Sequence, residues 1–332
     1  MILFEDVVKS FIDNMNDYLM IIVSFFGSLL LLLIGPFLNL INITKNKTKF
    51  GTPKTIVITG SNSGMGRGIA IAYAKPGVTL GLIGRNIERL QDVKNECIKK
   101  GANVIIESID ITDKEKMNNW LLSFDKKYTV DILIANAAVS ELMLPKELNF
   151  NDRTYELTNI NGNNNNNNNI FFFFINNING GNGQIVLVSS LTSYLNFVLP
   201  TYCGSKAFVT SFGLTLRNRL KDSGVGVSIV APGFVDTPMS DSLKQDSLPF
   251  SVTPNQAATI ILDGISKNKA FIAFSLPTLL FTYFVNIIPP NLKDSWNYIS
   301  TFFFKHPEFN PPNTSNSNSN NTDSSSSKFK KN

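Results

Sequence analysis

Histidine is nearly absent from this chain: His306 is the single one in 332 residues. That scarcity excludes a Ser-His-Asp hydrolase and any metal centre built on several imidazoles, so no metal ligands are expected. Cysteine is equally thin. Cys97 and Cys203 are too few for a disulfide scaffold and fit a reducing compartment. No dense run of Lys or Arg occurs before the tail KFKKN, and the formal net charge is only +5, so nucleic acid is not an expected partner. Apolar residues are plentiful. At 43% they allow a sizeable core.

Part of that apolar content is concentrated near the start. After a short acidic segment, 1–17, the run 18–43 (YLMIIVSFFGSLLLLLIGPFLNLINI) carries no charge and is long enough to cross a hydrocarbon layer of about 30 Å. A cleaved signal peptide would be shorter, begin earlier and follow basic residues. The expectation is therefore a transmembrane anchor in a lipid bilayer. Glu5, Asp6, Asp13 and Asp17 precede the run and Lys45, Lys47, Lys49 and Lys54 follow it, so the rest of the chain is expected to face the cytosol, at the endoplasmic reticulum. Two sequons, Asn42-Ile43-Thr44 and Asn46-Lys47-Thr48, point weakly the other way.

From Lys54 a strand, turn and helix pattern repeats: KTIVITG, GMGRGIAIAYA, VTLGLIG, IERLQDVKNECIKKG ending at Gly101, ANVIIESID, VDILIAN, GQIVLVSS, a helix from about Tyr202 to Lys221, and VGVSIVAPG. Such alternation predicts an α/β domain, a doubly wound parallel sheet spanning 54–292 as a single domain. A low-complexity Asn/Phe insert, 161–182, falls where a covering helix belongs, and the Asn/Ser-rich tail 311–332 has too little apolar content to fold. The apolar stretch 271–290, broken by Pro277, reads as a covering lid, a membrane-dipping hairpin or a second span, the first two being favoured. Ser240 to Phe250 reads as a mobile lid.

The stretch TGSNSGMG, from Thr59 to Gly66, lies between the first strand and the first helix. There Gly60 permits a tight turn, Gly64 lets backbone approach a pyrophosphate, and Gly66 lets helix and strand pack closely. Arg85 follows the second strand, where a dinucleotide site reads the adenosine ribose. An arginine there suits a 2′-phosphate, which favours NADP(H) over NAD(H); the bland alternative is a strand end in solvent. Tyr202 and Lys206 stand four residues apart, hence on one helical face. A nearby cation favours the phenolate, which lets a tyrosine exchange protons near neutrality.

These motifs, in this order, resemble the classical short-chain dehydrogenase/reductase family over roughly 54–292. The resemblance rests on TGSNSGMG, Asp110 in IDITD, ANAA at 135–138, Ser190 in VSS, Tyr202 with Lys206, and PGFVDTP from Pro232. It implies a Rossmann-like sheet, a nicotinamide cofactor and carbonyl–alcohol interconversion. By that likeness the cofactor contacts are Gly60, Ser61, Asn62, Ser63, Gly64, Met65, Gly66, Arg85, Asp110 at the adenine amine, and Asn136 with Ala137 along the channel. Pro232 and Gly233 follow, with Val235 and Thr237 at the carboxamide and Tyr202 and Lys206 at the nicotinamide end. The implied catalytic set is Ser190, Tyr202, Lys206 and Asn159. Counting back from Tyr202 selects Ser189 instead of Ser190, and Asn161 competes with Asn159. Family members usually carry glycine where Ala138 stands, so a methyl group is expected to crowd the channel slightly. The resemblance also implies a homo-oligomer through the Tyr–Lys helix and its neighbour. The expected substrate is a small apolar carbonyl or alcohol, such as a ketosphingoid base, sterol, retinoid or fatty aldehyde. The rival expectation is a catalytically degenerate relative serving as a nucleotide-binding or membrane scaffold, because the asparagine tract threatens the helix of Asn159.

Overall fold

The computed structural model describes residues 50–140, 143–144, 148, 150–166, 183–194, 199–241, 250–289 and 291–292, with the separate positions 23, 26 and 30. The chain forms two compact units, Met1–Gly51 and Thr52–Asn332. In the first, Val23, Phe26 and Leu30 are helical and exposed. Most of the run 18–43 lies outside the described residues, as does the tail 311–332. Among the described residues no helix is long and apolar enough to cross a membrane.

The second unit alternates strand and helix. Its elements are β1 (Thr55–Thr59), α1 (Gly64–Tyr73), β2 (Thr79–Gly84), α2 (Ile87–Lys99), β3 (Asn103–Ser108), α3 (Lys114–Tyr128), β4 (Ile132–Ala135), α4 (Phe150–Asn166), β5 (Gln184–Val188), α5 (Pro200–Arg219), β6 (Gly226–Pro232), α6 (Pro238–Asp241), α7 (Pro254–Ser266), β7 (Phe271–Phe274) and α8 (Leu276–Ile287). The strands pair in parallel in the order β3-β2-β1-β4-β5-β6-β7. The order runs outward from β1 to β3 and resumes with β4 on the other side of β1. That reversal opens a crevice at the carboxyl ends of β1 and β4.

Each strand is apolar on both faces because helices cover both. Ile56 and Ile58 of β1 and Ile132 and Ile134 of β4 pack with α1, α2 and α7, whereas Val57 and Leu133 pack with α3 and α5. The alternation is the two-residue period of the pleat. Helix ends follow local chemistry. Asn86 accepts from the Arg89 N–H to cap α2, Asp113 accepts from the Lys116 N–H to cap α3, and Thr253 with Gln256 forms a reciprocal capping box on α7. Gly101, at φ +90°, closes α2 as the sequence predicts, with the Ala102 N–H reaching the Cys97 carbonyl.

Three expectations are refined. The asparagine tract begins inside the covering helix: α4 continues to Asn166, and 167–182 lie outside the described residues. Pro277 does not break the apolar stretch. It occupies the first turn of α8, where a missing N–H costs nothing, and the twelve-residue helix is too short to be a second span. The start of the supposed lid is helical, as α6, while 242–249 lie outside the described residues.

Close packing of α5 on the sheet sets a measurable constraint. A methyl group at Gly213 would approach Ile229 Cγ1 to 2.8 Å and Leu187 Cδ1 to 2.9 Å, whereas Gly204 on the same helix has nothing within 4 Å. Gly213→Ala should cost about 1–3 kcal/mol in chemical denaturation. Gly204→Ala should instead add roughly 0.5–1 kcal/mol. Equal effects of the two would contradict this packing.

Candidate active site

The glycine loop lies at the crevice because β1 ends there and α1 begins there. Gly60 and Gly64 sit at φ +65° and +53°. A Cβ at Gly66 would stand 2.2 Å from the Gly60 carbonyl oxygen, and one at Gly60 would stand 2.7 Å from Ala137 Cα. No side chain fits between the loop and its backing. The backing is Asn136 and Ala137, whose backbone N–H groups both donate to Thr59 Oγ1, while Asn136 Nδ2 donates to the Thr59 and Gly60 carbonyls at 3.0 and 3.2 Å. Ser61 turns inward and donates its hydroxyl proton to the Ile83 carbonyl. Asn62 lies against Gly84, and Met65 packs on the core.

At the start of α1, Ser63 makes no side-chain cap and no acidic residue occupies the first turn. The leading amides are thus left to a ligand, and they suit an anion. The loop therefore fits a pyrophosphate on its own geometry. At the adenosine side, Arg85 is exposed and its guanidinium has no ion-pair or hydrogen-bond partner among the described residues, whereas Arg67 is held by Glu96 at 2.5 Å. A groove of about 430 Å³ near α2, lined by Asn62, Arg67 and Arg89 among others, is separate from the Tyr202 region. Asp110 accepts from the Thr112 N–H and hydroxyl through one carboxylate oxygen. Across the loop, Thr237 lies 3.1 Å from the place of a Cβ on Gly64, and Val235 is buried in a bridge to Val252. Pro232 ends β6, and a Cβ on Gly233 would meet Ser275 and Thr278 at 3.4 Å.

Lys206 is the largest fully buried side chain, 1% exposed. Its ammonium donates to the Val188 carbonyl at 2.9 Å and stands 5.6 Å from the centre of the Tyr202 ring. Burial pushes the amine down to about 8. Unfolding restores the ordinary value near 10.5, so between these values the unfolded chain binds more protons and this group's contribution to stability rises with pH. Tyr202 is half-buried in the first turn of α5, which starts at Leu199 in the left-handed region (φ +54°) followed by Pro200.

The two serines separate by environment. Ser189 is buried and donates to the Lys206 carbonyl while sharing a 2.7 Å hydrogen bond with Thr210, so its hydroxyl is committed to packing α5 on β5. Ser190 accepts from the Thr192 N–H at 3.2 Å and keeps its own proton to donate. The two asparagines separate as well, against the expectation for Asn159. Asn159 lies on the exposed side of α4. Asn161 is buried, accepts from the Val139 N–H, and donates to the Val139 carbonyl and to Ser205 Oγ at 2.9 and 3.1 Å. The signal was helical: Thr154, Leu157 and Asn161 share a face, and Asn159 is two residues, about 200°, around from Leu157. Thr59 opens the TGSNSGMG stretch, but that its hydroxyl gathers the Asn136 and Ala137 amides was not legible, because those partners lie 77 and 78 residues away.

A glycine loop at a strand-order reversal, facing a helix with a buried lysine beneath a tyrosine, defines a dinucleotide-dependent oxidoreductase site. Comparison with known proteins agrees. Residues 54–248 match the short chain dehydrogenase family, adh_short, and the chain belongs to it. It is 27% identical over 245 residues to an uncharacterised oxidoreductase of Myxococcus xanthus, covering 73% of this chain and 95% of that one. It is 27% identical to 11-beta-hydroxysteroid dehydrogenase-like 4A of Arabidopsis thaliana, covering 66% of this chain and 76% of the relative. The fold also matches a short-chain dehydrogenase from Sphingobium yanoikuyae solved with NADPH (TM-score 0.59, 19% identity, 79% of this chain and 99% of that chain). A Burkholderia phymatum relative solved with NAD has a TM-score of 0.61 at 22% identity, covering 69% of this chain and 92% of that one.

The asparagine assignment is testable by stability. Asn161→Ala strands the buried Val139 N–H and carbonyl and should cost about 2–4 kcal/mol in denaturant unfolding. Asn159→Ala, on the exposed side of α4, should cost less, below about 1 kcal/mol. The reverse ranking would refute the assignment.

Proposed function

We propose that the chain is a membrane-anchored reductase that uses NADPH to convert an apolar, lipid-like carbonyl to its alcohol, with the reverse oxidation available to the same groups. The observation that carries this reading is the buried Lys206 ammonium, held by Val188 two residues before Ser190 and 5.6 Å from the Tyr202 ring. When bound, the nicotinamide cofactor supplies the hydride. The chain's own task is to hold and move a proton. Tyr202 gives its phenolic proton to the carbonyl oxygen as that oxygen gains charge, and takes one back when an alcohol is oxidised. Ser190 donates a hydrogen bond to the same oxygen. Lys206 stabilises the phenolate left behind, and also holds the nicotinamide ribose. Asn161 fixes α4 against the loop after β4 and, through Ser205, against the helix of the Tyr–Lys pair.

The bare amides of α1 receive the pyrophosphate, with Asn136 and Ala137 behind them. The second carboxylate oxygen of Asp110 takes the adenine amine, and the loop from Pro232 and Gly233 to Val235 and Thr237 takes the carboxamide. Exposed Arg85, whose guanidinium has no partner among the described residues, takes a 2′-phosphate, which supports NADPH over NADH. The apolar substrate and a location at the endoplasmic reticulum, cytosolic side, are supported by the run 18–43 and the lysines after it. Exposed helical Val23, Phe26 and Leu30, and a relative named for a hydroxysteroid dehydrogenase, add to that support. Exposed Tyr155 on α4 with Phe208 and Leu214 on α5 suit a homo-oligomer across those helices. The rival scaffold reading is motivated by the asparagine tract that follows Asn159; the continuation of α4 to Asn166 supports the enzyme reading over it.

Assay of the full chain with NADPH and a panel of apolar ketones tests the reading. Tyr202→Phe should lower turnover by about 10²–10⁴-fold while NADPH still binds, and NADH should serve the parent less well. A folded, NADPH-binding parent that reduces none of the panel, or a phenylalanine variant as active as the parent, would contradict it.

A further inference from the structure

The last helix turns an apolar stripe to solvent. Leu276, Leu280, Tyr283, Phe284 and Ile287 of α8 are all exposed, Ile287 at 82%, while Thr282 and Val285 are buried. At 3.6 residues per turn those five fall within an arc of about 100°. The helix, LPTLLFTYFVNI, contains no charge. Scattered exposed apolar residues are ordinary on a soluble surface; an uninterrupted stripe along one helix marks a contact surface.

Its place in the fold matters. The Tyr283 ring lies 6.2 Å from the Tyr194 ring, which in turn lies 6.1 Å from Phe271. Tyr194 ends the 3-10 turn Leu191–Tyr194 that begins directly after Ser190. The helix also starts against Gly233, beside Ser275 and Thr278. The stripe therefore lies one ring beyond Tyr194, which is four residues after Ser190.

The proposed anchor bears on what the stripe meets. The folded unit starts at Thr52, nine residues after the run 18–43, a link of at most about 32 Å. A short amphipathic helix binds a bilayer weakly alone, but tethering to an anchored segment makes its contact with the same bilayer intramolecular.

We propose that α8 beds its outer face in the lipid surface, and that an apolar carbonyl passes from the bilayer along Tyr283 and Tyr194 to Ser190 and Tyr202. This rests on the anchored-reductase reading above. Docking leaves the charged surface in water and brings the mouth of the site to the phase where such a substrate is concentrated.

The full chain in phosphatidylcholine vesicles tests it. Cys97 and Cys203 are buried, so a dye attached after Leu280→Cys, Phe284→Cys or, as control on exposed α3, Leu122→Cys reports one place at a time. With spin-labelled phosphatidylcholine, the α8 positions should be quenched at least about twofold more than the control, as for a face sunk about 5–10 Å. Quenching no greater than at Leu122→Cys overturns the proposal. So does α8 fluorescence that ignores lipid and responds to protein density, which would mean a second copy covers the stripe. In a second arm, the double variant Leu280→Asp, Ile287→Asp should raise KM for a vesicle-dissolved ketone on the order of tenfold, leaving kcat, and KM for a water-soluble ketone, unchanged. An equal rise for both ketones counts against the proposal. Loss of the reductase reading would appear instead as no turnover of either ketone by the parent, with the quenching result still deciding where α8 lies.

Discussion

An ammonium group shut away from water must be held by the fold around it, and Lys206 is such a group. Its hydrogen bond to the Val188 carbonyl ties α5 to the end of β5. The neighbouring contact of Ser189 with the Lys206 carbonyl and Thr210 ties the same two elements from the other side. Together they commit the Ser189 hydroxyl to packing and hold against β5 the helix that carries Tyr202. Such an arrangement is expensive for stability, since burial opposes the charged form. Its retention makes sense where a cation is needed beside a phenol.

The remaining parts converge on that point from the other half of the sheet. The reversal of strand order between β1 and β4 opens the crevice, and the bare start of α1 gives it an anion-binding wall. Thr59 and Asn136 lock the glycine loop to the strand beside it. Asn161 then fixes the loop after β4 to α4 and α5, so the glycine loop's backing and the helix of Tyr202 and Lys206 share one frame. Thr237 and Gly233 close the far side, where α8 begins.

The parts legible in the sequence were those written in local pattern. Ile56 to Thr59 announces a buried strand, Gly60, Gly64 and Gly66 announce the loop, and Gly101 announces the end of α2. Tyr202 and Lys206 were legible because one helical turn brings them to one face. Other features depend on neighbours remote in sequence. Ser189 and Ser190 are chemically alike, and only the approach of Lys206 and Thr210 distinguishes them. Asn161 was named only as a competitor to Asn159, although the helical period from Leu157 singles it out. Pro277 looked like a break because a proline's effect depends on its position in a helix, and here it is in the first turn.

The central claim is that the buried Lys206 amine is a cation beside the Tyr202 ring, its proton loosened by burial. Nitrogen-detected NMR titration of that side chain in the full protein measures this directly. The account predicts a midpoint near 8, the value to which burial lowers it. A midpoint at the ordinary value near 10.5 would contradict the burial of the amine, and one below neutrality would leave no cation to stabilise the Tyr202 phenolate.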